Sequence, residues 1–340
     1  MSLTPSAAFL LLVFVLFLYA MAAAIDFGSG AVWLWAELRG RTDVAALAMR
    51  YASPVWEVVN VFFILFAVGM VGFFPGAVPA VGTAMLVPGA LGLGAIAVRS
   101  LAFVLRGASP PWAPRLFPWL VGISGLVAPL PFVTLFALLE GVGVRPGSGG
   151  LAVDLAALFL HPLTLFFMLT AVAAEIGMGA LFLAFYARPA REPWAFDTLT
   201  RAATPALAVM ALSLLAALIP LHALSPWAGS GVWLLFALAA AAQVAAVALA
   251  HARRPGPGLL AALAGGLAGL VAMAWAQLPW LVRGHLTLAA TFTDPAMAGA
   301  LTAVLGVGVV IVVPSAVYLS VLVLADARRA ARAAPGDRAA

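Results

Sequence analysis

Residues 7–24 read Ala-Ala-Phe-Leu-Leu-Leu-Val-Phe-Val-Leu-Phe-Leu-Tyr-Ala-Met-Ala-Ala-Ala, eighteen positions without a charge. A helix of roughly 20 apolar residues crosses the hydrocarbon core of a bilayer, so this run reads as a spanning helix. Ala20-Met21-Ala22 imitates a signal-peptide cleavage site, but Met1–Ser6 lacks the positive charge with which a secretory signal starts. The same pattern recurs along the chain at Val55–Phe74, Ala77–Leu105, Leu116–Leu139, Pro162–Tyr186, Thr204–Leu221, Gly231–Ala250, Gly258–Trp280 and Ala296–Leu324. The sequence therefore predicts an all-α polytopic membrane protein of about nine transmembrane helices. Residues 1–325 form a single integral-membrane domain, and the Ala/Arg/Pro-rich residues 326–340 are expected to be a disordered tail.

Composition agrees. Of 340 residues, 65% are apolar and 9% charged, against about 45–50% and 25% in a soluble domain, and the mean hydropathy is +1.15. All 17 cationic residues are arginine, and they set the orientation. Alternate connections hold Arg39, Arg41 and Arg50; Arg106 and Arg115; Arg188, Arg191 and Arg201; and Arg253 and Arg254. The tail holds Arg328, Arg329, Arg332 and Arg338. These total fourteen, while the opposite loops hold only Arg145 and Arg283. The N-terminus is thus placed outside and the C-terminus in the cytoplasm. The net charge of +5 is scattered between apolar runs, so it records topology and not the basic face of a nucleic-acid binder. In the longest cytoplasmic connection, Phe27–Pro54, the stretch Val32–Met49 with Trp33 and Trp35 suits a helix lying at headgroup level.

An ionisable side chain within a span costs about 2.5–3.5 kcal/mol on insertion scales, so each one needs a reason. Asp26 closes the first span and Glu57 opens the second, both on the cytoplasmic side. Arg99, seven residues before Arg106, lies ~10 Å inside the same boundary. Two readings stand level: an ion pair that keeps Arg99 buried, or a polar cytoplasmic entrance with Glu57 as a protonatable relay. Glu175, in the middle of the fifth long segment, has no basic residue within a turn and fits a proton relay or a neutral interhelical hydrogen bond equally well. Gln277 is the neutral case.

Without cysteine there are no disulfides, iron–sulfur clusters or thiolate metal sites. The four histidines, His161, His222, His251 and His285, lie at segment ends or in loops. No pair is placed to hold a haem between facing helices; for His161 and His222 an interfacial structural role is favoured over a single axial one. No metal site is expected, and no P-loop, GxSxG or HExxH occurs.

Three stretches then fall into a recognisable order. Ala24-Ile25-Asp26-Phe27-Gly28-Ser29-Gly30 resembles the "GFDxGxG" segment of subunit II of cytochrome bd quinol oxidases. Ser53-Pro54-Val55-Trp56-Glu57 followed by Asn60-Val61-Phe62 resembles that family's "SPVWE" start of the second helix, and Arg99 through Phe103 to Arg106 its "RxxxFxxR". Leu278-Pro279-Trp280, Leu286-Thr287-Leu288 and Thr293-Asp294 resemble its C-terminal region. Ala24 stands for the family's glycine, Ile25 where phenylalanine is frequent, and Glu175 matches no charged family position.

The resemblance implies two four-helix bundles plus a peripheral helix in a bacterial inner membrane. It also implies a partner, subunit I, that holds haems b and d and oxidises quinol while O2 is reduced to water. This chain would supply no axial ligand and no catalysis alone. Glu57 would belong to a cytoplasmic proton path, with Asp26 and Arg99 at the same entrance; Glu175 is a weaker candidate. Some family members hold a structural quinone, which the sequence assigns to no residue here, and a small single-span accessory subunit is compatible with the reading. The competing classes are an ion- or proton-coupled transporter with an acidic site at Glu175, which lacks the matched interrupted spans of such folds, and a quinol-binding anchor for an iron–sulfur partner.

Overall fold

The computed structural model describes residues 3–105, 116–147, 150–187, 193–224, 229–308, 310, 311, 314 and 315, and the side chains there except at 51–58, 146, 147 and 150. Helix α1 spans Pro5–Leu38 and α2 Thr42–Phe73. A single 3-10 turn, Pro75–Ala77, leads into α3 (Val78–Ala84) and α4 (Leu86–Leu105). Then come α5 (Phe117–Val127) and α6 (Pro129–Leu139). An antiparallel hairpin of β1 (Val144–Gly147) and β2 (Gly150–Val153) pairs Val144 with Val153, and α7 (Leu155–Leu160) follows. Four long helices complete most of the chain: α8 (Pro162–Tyr186), α9 (Pro193–Leu224), α10 (Ser230–His251) and α11 (Pro255–Gln277). A second small hairpin, β3 (Trp280–Val282) with β4 (Leu286–Thr287), precedes α12 (Leu288–Thr291) and the apolar helix α13 (Pro295–Gly308).

The helix starts follow from local chemistry. Thr4 Oγ1 accepts from the Ala7 amide at 3.2 Å and Pro5 occupies the first turn of α1, where a missing N–H costs nothing. Asp294 does the same for α13, accepting from Ala296 and Met297 at 2.9 Å. His161 caps α8 through Nδ1, which accepts from the Leu163 amide at 3.2 Å. Partial burial of that ring holds its pKa below the ordinary histidine value, which favours the neutral form that such a cap requires.

Helix α1 is the hub, packing on α2, α5, α8 and α11. Its inner half enters a core with Met178, Leu181 and Leu183 of α8 and Leu199 and Leu207 of α9. Its outer half, through Phe9 and Leu12, meets Phe73, Phe74, Leu281 and Leu305. Leu86, Leu91, Ile219 and Val304 point outward and exposed, as hydrocarbon solvent demands and water does not.

Among the described residues, seven helical segments are long and apolar enough to cross a membrane: α1, α4, α5 with α6, α8, α9, α10 and α11. The stretch Val59–Phe73 with Pro75–Ala84 makes an eighth if counted as one span bent by 93°. Of residues 309–324, expected to complete a ninth, only 310, 311, 314 and 315 are described, and 326–340 lie outside the described set.

Two expectations are corrected. Residues 77–105 are not one span: the turn at Pro75–Ala77 bends the second span into α3, which ends at Ala84, and α4 starts afresh at Leu86 after Met85. Nor is Phe27–Pro54 a loop carrying an interfacial helix. Helix α1 runs on to Leu38, turns through Gly40 at φ 62°, and α2 starts at Thr42. Trp33 is buried, and its indole N–H donates to Glu37 at 3.2 Å. Asp26 accordingly lies within the body of α1, not at its end.

Candidate buried charge cluster

The segment Asp26-Phe27-Gly28-Ser29-Gly30 now has a physical reading, residue by residue. Asp26 receives Arg99 of α4 as a fork: Nε reaches Oδ2 at 3.1 Å and Nη2 reaches Oδ1 at 2.9 Å. Arg99 also donates to the Asp26 carbonyl at 2.8 Å and to the Val121 carbonyl of α5 at 2.7 Å. Phe27 and Phe103 each place a ring 5.1 Å from the guanidinium carbon, a cation–π sandwich. Side-chain exposure is 3% for Arg99 and 1% for Asp26. A buried pair of this kind survives only because its hydrogen bonds are nearly complete.

The glycines make room. A Cβ at Gly30 would stand 2.6 Å from Arg99 Nη1, and one at Gly125 3.0 Å from it. Gly28 serves the other side of α1, where a Cβ would collide with the Glu175 carbonyl of α8. Gly179 reciprocates, its Cβ position falling 2.5 Å from the Gly28 carbonyl carbon. This backbone-to-backbone approach, typical of small residues in membrane helices, carries Glu175 to the charge pair.

Of the four candidate residues, the structure therefore brings Asp26, Arg99 and Glu175 into one cluster. The side chain of Glu57, in α2, lies outside the described residues. Glu175 is buried, its Oε2 has no hydrogen-bond partner among the described residues, and Arg99 and Asp26 are within electrostatic range of it. The neighbourhood of Glu175 was illegible in sequence because its charged neighbours come from α1 and α4. Tyr19, buried on α1, is within electrostatic range of both carboxyls.

A second buried pair was not foreseen. Arg283, counted as a loop arginine, donates through Nε to Glu140 at 2.6 Å and through Nη2 to the Ala276 carbonyl at 2.8 Å. Gln277 joins them, accepting from Arg283 at 3.3 Å and donating to the Leu139 carbonyl at 2.5 Å. This clip ties the β3–β4 hairpin to the end of α6. An acid ending one apolar run and an arginine in a short loop on the same side were the available signal.

Neither cluster is a metal site, and no group of three His, Asp or Glu side chains among the described residues could hold an ion. The four histidines lie at the ends of helices or in a turn. His161 is engaged as a cap, His222 packs edge-on to Trp233 at 5.1 Å, His251 ends α10 and His285 sits in the turn of the second hairpin.

The fold and cluster define a class: a helical membrane protein with charges buried between its spans. A sequence profile described as cytochrome bd terminal oxidase subunit II matches residues 4–323, and the chain belongs to that family. It is 27% identical over 327 residues to a putative cytochrome bd menaquinol oxidase subunit II of Bacillus subtilis (strain 168), covering 92% of this chain and 93% of that one. It superposes on a chain of the bd oxidase from Geobacillus thermodenitrificans with a TM-score of 0.80 at 28% identity, covering 94% of this chain and 98% of that one. The chain is thus a subunit of a terminal oxidase in a bacterial inner membrane, and membership implies a partner subunit that carries the haems.

Proposed function

We propose that this chain pairs with the haem-bearing subunit I of a bd-type quinol:oxygen oxidoreductase and supplies a proton pathway from the cytoplasm for reduction of O2 to water. Haems b and d in the partner carry the electrons. This chain's residues shape the buried surface beside them and hold protonatable groups within it. The path enters at Glu57, on the strength of its place in the SPVWE resemblance, and is lined further in by Asp26, Arg99 and Glu175. The observation that carries this reading is the Asp26–Arg99–Glu175 cluster, three ionisable groups from α1, α4 and α8 kept at a cost that packing alone would not require. A quinone, if this member holds one, would lay its apolar tail in the cavity of about 270 Å³ lined by Phe9, Leu12, Phe63, Phe66, Phe136 and Leu281.

Glu57→Gln tests the pathway. In the assembled oxidase with its haems intact, quinol-driven O2 uptake is expected to fall about tenfold or more, as for loss of a proton-transfer group. Unchanged turnover contradicts a relay at Glu57, and loss of haem together with turnover assigns the residue a structural role.

A further inference from the structure

The members of the buried cluster are not equivalent, and their hydrogen bonding separates them. Both carboxylate oxygens of Asp26 accept from Arg99. Arg99 is further held by two backbone carbonyls and two aromatic rings. For Asp26 to take up a proton, a bidentate ion pair must break and leave a buried guanidinium without its counter-charge, a strongly unfavourable change. Glu175 faces no such cost. Its Oε2 is buried without a hydrogen-bond partner among the described residues, so a proton can arrive and leave with no bond of the protein broken. Helix α8 also lies close against α1 at this level, because Gly28 and Gly179 bring the two backbones into contact.

From this we infer that Glu175 is the proton-carrying carboxyl of this subunit, and that Asp26 and Arg99 form the fixed scaffold beside it. The inference rests on the proton-pathway reading above. In one passage Oε2 takes a proton from the cytoplasmic side, converting carboxylate to carboxylic acid. It then yields that proton toward the haem-bearing partner and returns to carboxylate; no electron moves on this chain. Among the described residues, the charged groups within electrostatic range of Glu175 are Arg99 from α4 and Asp26 from α1, and the phenol of Tyr19 is also within that range. Helices α6 and α11 bring no ionisable side chain. On α9, Asp197 and Arg201 stand in the first turns, half-buried and exposed respectively, and His222 in the last.

The test uses the complete oxidase, purified with its partner. Glu175→Gln keeps the shape and abolishes proton exchange; Glu175→Asp keeps the carboxyl. The expected result is that the glutamine variant retains its haems but loses turnover about tenfold or more, while the aspartate variant stays within about threefold of the parent. Redox-difference infrared spectra should show a carboxyl C=O band that the glutamine variant lacks and the aspartate variant shifts. A glutamine variant at half the parent rate or better overturns the inference. So do equal losses in both variants with the infrared band unaltered, which mark a purely structural side chain. If the glutamine variant does not assemble, the aspartate variant decides: an active complex with a shifted band supports the carrier role, and anything else overturns it. Normal Glu175→Gln turnover alongside a slow Glu57→Gln enzyme removes this inference alone. Normal turnover in both removes the pathway itself.

Discussion

Arg99→Met is expected to destabilise the subunit by about 3–5 kcal/mol, because it strands the Asp26 carboxylate in a site only 1% exposed with nothing to offset its charge. The substitution also removes the guanidinium's donation to the Val121 carbonyl and its cation–π contacts with Phe27 and Phe103. The measurement is the thermal stability and haem content of the detergent-solubilised complex, with the parent treated alongside. Asp26→Leu combined with Arg99→Met should recover much of the loss, since an apolar replacement of a whole buried pair is often neutral or better. A double variant as unstable as the single one would show that the stranded charge is not the source of the defect. Whatever stability the double variant recovers, the scaffold role assigned to the pair predicts that its turnover stays low.

Gly28→Ala is the smallest change with a comparable expected effect. The added methyl would occupy the place of the Glu175 backbone carbonyl, and on the facing helix Gly179 leaves no slack. Overpacking generally costs about 1–3 kcal/mol; here the obstacle is main chain on both sides, so the upper end or beyond is expected, with α1 and α8 forced apart. Loss of haem-loaded complex on purification is the readout. Gly94→Ala on α4 is the control, since nothing lies within 4 Å of its Cβ position; a change there should be small. Equal behaviour of the two variants would mean that the α1–α8 contact does not hold the fold together.

Much of this architecture is legible in the chain. Apolar length places the helices, and Pro162–Tyr186 is found in the structure with the boundaries read from sequence. The harder points were those decided by contacts between distant segments. Val32–Met49 reads as interfacial because it is amphipathic and carries Trp33 and Trp35, yet Trp33 turns inward and the stretch divides between the end of α1 and the start of α2. The bend before α3 is written in Pro75 and Pro79, but hydropathy averages over it. Glu140 and Arg283 lie 143 positions apart, so nothing local announces their pairing. Glu175 was visible as an anomaly and not as a neighbour of Asp26, because that proximity is made by two glycines on different helices. In the Asp26–Gly30 segment, by contrast, the spacing of acid, aromatic and glycines corresponds to a specific job at four of the five positions.

The most direct measurement is to isolate this chain by an affinity tag from its native membrane and assay what accompanies it. The account predicts a haem-bearing partner of comparable size with the spectra of haems b and d, and O2 uptake driven by added quinol. A chain that purifies without haem, consumes no O2 with quinol, and instead moves an ion or solute when reconstituted alone would contradict it.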